Sequence, residues 1–341
     1  MSDEREPPNL TAARRSHGSD GEPICLVHLV RAANGQPPFR AFTQALRRFP
    51  PGTDHEIILA MKGFAAPADA APYLTEAADL GVQPLFFPDT GFDLGVYFAA
   101  ARRLRRSRYC FLNSFSEPLS NGWLARLESG LNQDEVGMAS ASGSWNSSRS
   151  WLLYDLRLRS PYRGLLPRPV VRAERAALGG ESGERAPASA IGPTSYVLRA
   201  ARAAAAAADL PRLLREFEPF PAHHLRTNAF VIAHSTLASL ELREIRVKTD
   251  AYALESGRDS LTRQVQRMGK RAVVVDREGR CFDQDDWHLS ATFWQGAQEG
   301  LIVADNQTRL YQCGGPDRRR VLSAMAWGPQ AEPDLGPGSA A

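Results

Sequence analysis

Short apolar runs alternate with longer amphipathic stretches through the first half of the chain. Residues 24–30 form an apolar run of strand length, and 39–49 carry apolar residues at helical spacing. A second strand is expected at 56–61, ending in Lys62-Gly63-Phe64, followed by a helix at 71–80 and a third strand at 82–87. Asp89-Thr90-Gly91 supplies capping chemistry for a helix over 93–106. A fourth strand at 109–112, a helix at 119–131 and a fifth strand at 136–139 complete this half. The second half is less regular, with a helix expected over 196–217, strands at 229–233 and 272–275, and a helix at 259–268. Alternation of this kind predicts an α/β protein with a mostly parallel central sheet covered by helices on both faces. The second half is expected to extend that sheet and close the cleft above it, as a single composite domain.

Composition narrows the partners rather than the fold. With 341 residues, 43% hydrophobic and 23% charged, the chain has the make-up of a soluble globular protein with ample length for a core. A net charge of +3 is too small to argue for nucleic acid, and no nucleic-acid partner is expected. Cys25, Cys110, Cys281 and Cys313 lack the paired spacing of zinc or redox motifs and read as reduced thiols. No run approaches the ~20 apolar residues of a membrane span, so a cytoplasmic protein is expected, with peripheral membrane association left open. Residues 1–22 are expected to be a disordered tail, 172–190 a loop insertion within a folded unit of 23–315, and 316–341 a mostly disordered tail, most plainly from 329.

Candidate chemistry gathers where the strands end, since ligands of such sheets bind at the carboxyl edge. The first strand carries His28, for which core packing is the competing reading. Lys62 ends the second, suited to a phosphate or simply to solvent. Asp93 and Tyr97 lie one helical turn apart and face the same way, behind a glycine that lets a ligand approach. The fourth strand breaks into Asn113-Ser114-Phe115-Ser116-Glu117, and the fifth into a hydroxyl-rich loop holding Ser144 and Trp145, where the indole suits a sugar face. Arg226 and Asn228 precede a later strand. Arg226 can offset phosphate charge or form a structural ion pair, and metal binding by the adjacent His223 and His224 is disfavoured. Glu255, placed just before the helix at 259–268, and secondarily Asp250, are general-base candidates that could equally cap a helix. The polar-aromatic patches 287–294 and 304–309, the latter with Asp305 and Asn306, are positioned to close over a ligand. There is no G-x-S-x-G elbow, no Walker A loop and no G-x-G-x-x-G after the first strand.

Taken together, KGF from Lys62, DTGFDLGVY from Asp89, FLNSFSEPL from Phe111, ASGSW from Ala141, HLRTNAF from His224, KTDAYALESGRDSLT from Lys248 and ADNQTRLY from Ala304 carry a resemblance. The chain resembles a group of bacterial glycosyltransferase-like proteins, distantly similar to the family 2 glycosyltransferases. The resemblance implies a GT-A (Rossmann-like) fold and transfer of a sugar from a nucleotide-sugar donor to a glycan or lipid-linked acceptor, in cell-surface polysaccharide synthesis. His28, Lys62, Asp93, Tyr97, Asn113, Ser114, Ser116 and Arg226 would then hold the donor. Ser144, Trp145, Asn228, Asp305 and Asn306 would meet the acceptor or sugar, and Glu255 or Asp250 would be the base. The family's metal-binding Asp-x-Asp falls on Asn113 and Phe115 here, and phenylalanine cannot bind a metal. The implied chemistry is therefore either metal-independent or served by Mg²⁺ or Mn²⁺ through an atypical site. The alternative is a non-catalytic GT-A-like protein that binds a nucleotide-sugar or glycan.

Overall fold

The computed structural model describes residues 22–155 and 210–328. Residues 1–21, most of the expected insertion's surroundings from 156 to 209, and the tail from 329 lie outside the described residues, so the expectations made there stand as expectations. The strands are β1 (Ile24–Arg31), β2 (His55–Lys62), β3 (Gln83–Phe87), β4 (Arg108–Leu112), β5 (Glu117–Pro118) and β6 (Val136–Ser140) in the first half. The second half adds the short strands β7 (Gly143–Ser144) and β8 (His224–Leu225), then β9 (Ala229–Ala233), β10 (Arg271–Val275), β11 (Cys281–Phe282) and β12 (Val303–Ala304). Helices α1 (Gln36–Arg48), α2 (Ala71–Glu76), α3 (Phe92–Leu104) and α4 (Trp123–Leu131) fill the crossovers, and α5 (Ser148–Asp155) follows β7. Beyond them come α6 (Leu210–Glu216), α7 (His234–Ala238), α8 (Lys248–Ser256), α9 (Leu261–Arg267), α10 (Asn306–Gln312) and α11 (Pro316–Trp327).

Eight strands form one sheet in the order β11-β10-β6-β9-β4-β1-β2-β3. β1 is parallel to β2 and β4, β2 to β3, and β6 to β10, whereas β9 runs antiparallel between β4 and β6. The protein is thus mixed α/β, with a mostly parallel sheet flanked by helices. The expected extension of the sheet by the second half is what β9, β10 and β11 provide.

Period-two alternation divides each strand between two apolar layers. From β1, Cys25, Val27 and Leu29 join Tyr97 and Phe98 of α3, Leu254 of α8 and Val265 of α9. Ile24, Leu26 and Val30 face the other way, toward Phe39 and Phe42 of α1, Tyr73 of α2 and Trp123 of α4. Both faces of the strands are therefore buried, which is why they read as continuous apolar runs.

Three expectations need correction. The helix expected at 119–131 starts at Trp123, because Glu117–Pro118 pairs with β12 and Gly122 takes a left-handed φ of 71° before the first turn. Residues 248–256, for which no helix was expected, are α8, with Asp250 accepting from the backbone N–H groups of Arg246 and Val247 at its start. Residues 316–327, assigned to the C-terminal tail, are α11, whose Val321, Leu322, Met325 and Trp327 are buried in the main core. The Trp327 indole N–H donates to the Phe293 carbonyl at 2.6 Å, so the folded unit runs at least to this residue.

Candidate functional site

The chain turns back across β1 between β3 and β4, so the carboxyl ends of β1 and β4 border a crevice of the kind where α/β sheets bind ligands. β9 changes what reaches it. An antiparallel strand begins where its parallel neighbours end, so residues 224–228 enter the sheet at that same edge.

At one end of the crevice, Arg31 of β1 donates to both carboxylate oxygens of Asp89 at 3.1 Å, and Lys62 of β2 lies 3.5 Å from the same carboxylate. Gly63 (φ 73°) is needed here: a Cβ would meet Asp89 Cβ at 3.0 Å. Lys62 is buried, which pushes its amine down, while Asp93 and Asp89 push it back up. Asp93 sits in the first turn of α3, and burial raises its carboxyl, with Lys62 opposing and Glu255 adding to the rise. Tyr97 is wholly buried, stacked on Phe111 at 4.8 Å, and its hydroxyl has no hydrogen-bond partner among the described residues although it feels both Asp93 and Glu255. Asp93, Tyr97 and Glu255 are thus brought together from α3 and α8.

Glu255 precedes α9, as expected, but lies within a helix of its own, in the last turn of α8. Its Oε1 accepts from the Thr227 backbone N–H at 3.2 Å and from the Thr227 hydroxyl at 3.1 Å. Gly257 ends the helix, where a Cβ would come within 2.5 Å of the Ala253 carbonyl oxygen, so no other residue fits that stop. Glu255 faces a cleft of about 280 Å³ with Ser144, Asn146, Ser148, His224 and Arg226 as polar lining and Trp151, Tyr252, Phe293, Trp294 and Met325 as apolar lining. Gln307 closes one side. The patches 287–294 and 304–309 therefore do contribute to the cleft, through Trp294 and Gln307.

Arg226 is 9% exposed, lies 4.0 Å over the Phe293 ring and donates to Asp305 Oδ2 at 2.6 Å. Asp305 is fully buried, and its Oδ1 accepts from the backbone of Gln307 and Thr308 as the N-cap of α10. The charge of Arg226 is thus already matched by a protein carboxylate. Asn228 is buried beside it, accepting from Ser142 Oγ at 3.1 Å, with its amide nitrogen unpartnered among the described residues.

Several expected site residues are placed elsewhere. His28 has no exposed surface and stacks on Phe42 at 3.7 Å, and burial pushes its imidazole down to about 3, so it is a core side chain. Trp145 is not in the cleft: its ring packs against His223, His288 and Trp327, because the backbone of Trp145 pairs with that of Ala326 in α11. Asp250 is occupied by Arg212 and by the two backbone donors that start α8, so it does not meet Glu255. Asn306 is exposed at the start of α10 and outside the cleft lining.

The Asn113–Glu117 segment is a closed turn. Asn113 Oδ1 accepts from the Phe115 N–H and from Ser116 Oγ, both at 2.9 Å, and Ser116 also donates to the Asn228 carbonyl. Ser114 is buried in the same turn. Glu117 pairs with Arg309 at 2.7 Å. With the amide oxygen used twice, a phenyl ring in the second position and the nearby carboxylate paired, these residues do not fit a divalent cation. Among the described residues, no three His, Cys, Asp or Glu side chains group as metal ligands.

His224, Trp151 and Tyr252 line the cleft and Thr227 holds Glu255 at its edge, and none of the four was proposed as a site residue from the sequence. The signal for Thr227 and His224 was their place ahead of β9, legible only once that strand is known to run antiparallel. No family model matches the chain, and no curated protein matches it. Among solved structures it is similar over 36% of its length to the mannosyltransferase PcManGT from Pyrobaculum calidifontis in complex with GDP-Man and Mn²⁺, at 14% identity, TM-score 0.29 and 36% of that chain. It is similar over 37% of its length to GalNAc-T7 with UDP, GalNAc and Mn²⁺, at 15% identity, TM-score 0.29 and 23% of that chain. The matches span well under half of either structure. Among the described residues, no helix is long and apolar enough to cross a membrane.

Proposed function

We propose that the chain is a GT-A-type glycosyltransferase moving a sugar from a nucleotide-sugar donor to a hydroxyl of a glycan or lipid-linked acceptor, at the cytoplasmic face of cell-surface polysaccharide synthesis. One observation carries this reading: Glu255, held by Thr227 and flanked by His224, Arg226 and aromatic walls, opens into a cleft at the carboxyl edge of the sheet. Aromatic faces suit the apolar face of a sugar ring, and a fixed carboxylate supplies the negative charge that a departing hydroxyl proton needs. Asp93 and Lys62 border the donor end.

The test begins with thermal shift against UDP-, GDP- and dTDP-hexoses, with and without Mn²⁺. A ligand at a hundredfold its Kd should stabilise the protein by ~2.7 kcal/mol. Release of nucleoside diphosphate is then followed with the donor that shifts. Glu255→Gln is expected to lower turnover by ~10²–10⁴-fold while leaving the donor-induced shift intact. Full activity in that variant removes Glu255 from the mechanism.

A second reading, a non-catalytic nucleotide-sugar or glycan-binding protein, is favoured by the pairing of Arg226 with Asp305 and by the self-satisfied turn at Asn113. Donor binding without turnover decides for it, and no shift with any nucleotide-sugar removes the glycosyltransferase reading and leaves only glycan binding.

A further inference from the structure

The cleft holds a second group suited to proton transfer. His224 is buried, and its Nδ1 lies 2.8 Å from the Ala222 carbonyl oxygen. A carbonyl oxygen can only accept, so Nδ1 must carry the hydrogen and Nε2 must present a lone pair. His224 lines the cleft that Glu255 also faces, and with Nδ1 taken by the Ala222 carbonyl, Nε2 is the ring nitrogen left to meet a ligand there. The backbone on either side is fixed: the neighbouring Leu225 N–H donates to Thr262 Oγ1 at 2.9 Å, and β8 pairs with β7. The imidazole is thus held in one tautomer and one orientation.

Glu255 is placed differently. Its Oε1 is committed to two donors from Thr227, which fixes the carboxylate as a stationary negative charge beside the imidazole. The charged and titratable groups facing His224 are Glu255 from α8, Arg226 along its own segment and Arg263 from α9, with His223 adjacent. Glu255 alone among these favours an imidazolium.

We propose that His224 and Glu255 act as a pair, with His224 Nε2 receiving the proton of the acceptor hydroxyl and Glu255 holding the imidazolium that results. The inference rests on the glycosyltransferase reading. In the step, the hydroxyl oxygen forms its bond to the anomeric carbon while its proton moves to Nε2. The bond from that carbon to the donor phosphate oxygen breaks, and its electron pair leaves with the nucleoside diphosphate. Burial keeps this imidazole neutral, so Nε2 is available as a proton acceptor at neutral pH.

The test uses the full chain and its best donor from the thermal-shift screen. His224→Asn keeps an amide N–H able to reach the Ala222 carbonyl and deletes Nε2. It is expected to lower kcat by ~10²-fold or more with donor KM and donor-induced thermal shift unchanged, to lose the acid limb of the kcat–pH profile, and to regain rate with added imidazole. A structural role would not give imidazole rescue. If the Asn variant does not fold, His224→Gln, which places an amide where Nε2 was, carries the same measurements. Wild-type kcat in a folded variant overturns the pair and leaves the glycosyltransferase reading standing. A wild-type protein that turns over none of the donors overturns that reading, and the pair with it.

Discussion

At the scale of single residues, the Arg226–Asp305 pair decides how the cleft is to be understood. Asp305 is fully buried and serves two ends at once, matching the guanidinium through Oδ2 and capping α10 through Oδ1. Removing one partner of such a pair leaves an uncompensated charge where water does not reach, which costs about 3–5 kcal/mol. Asp305→Ala should therefore lower the unfolding free energy by about that amount in urea titrations, and Asp305→Asn, which keeps a capping oxygen, by less. A loss below about 1 kcal/mol in Asp305→Ala would mean that the pair is not structural and that Arg226 is free to turn to a donor phosphate. Asn113 teaches the same lesson. Its position at the end of an apolar strand marks the crevice correctly, but its oxygen is spent on the turn that makes the strand end there.

At the scale of elements, the turn after β4 is held from a distance in sequence. β5 pairs with β12, and Arg309 of α10 reaches Glu117 at 2.7 Å and the Phe115 carbonyl at 3.0 Å. This brace is partly exposed, so its contribution to global stability is expected to be about 1 kcal/mol or less. Its local effect should be larger. Arg309→Ala is expected to speed amide hydrogen exchange of Ser116 and Leu119, whose N–H groups donate to the Asn113 and Ile302 carbonyls, while core amides of β1 and β4 keep their protection. Equal protection in the variant would show that the strand pairing suffices. The same region shows what local pattern can and cannot reveal. The inner strands of the main sheet were legible because both faces are buried, which writes an unbroken apolar run into them, whereas the two-residue edge strand β11 carries no such run and was not expected. The helix at 248–256 was not, because it is short and its start is marked by Asp250 working backward on Arg246 and Val247. The helix at 316–327 opens with Asp317, Arg318, Arg319 and Arg320, and only its second half is apolar, so its burial against Phe293 and Trp145 depends on partners remote in sequence.

At the scale of the whole molecule, the antiparallel course of β9 is what assembles the cleft, because it delivers His224, Arg226 and Thr227 to the edge where β4 and β6 end. The sequence marks 229–233 as a strand but holds no sign of its direction, so Glu255 was legible as a candidate while its partner Thr227 was not. The core that surrounds this arrangement also encloses histidines, and that sets a response to acid. Burial pushes His28 down to about 3 and lowers His224 as well. An unfolded chain would protonate these residues near 6.5. Below that pH the unfolded state binds protons that the folded state refuses, so stability is fully present above about 6.5 and is lost as pH falls toward the folded value. For His28 the slope is about 1.4 kcal/mol per pH unit across that window. Carboxylates such as Glu56 and Asp89, held below their usual range by Arg106 and Arg31, give up their contribution only at lower pH, beneath about 4. The two windows are therefore separable. Melting temperatures measured from pH 7 to pH 4.5 should fall steadily in the wild-type protein and more gently in His28→Phe, which keeps a ring to stack on Phe42 and removes the titrating group. Parallel curves for the two proteins would mean that the unfolding free energy in this range is set by groups other than the imidazole beneath α1.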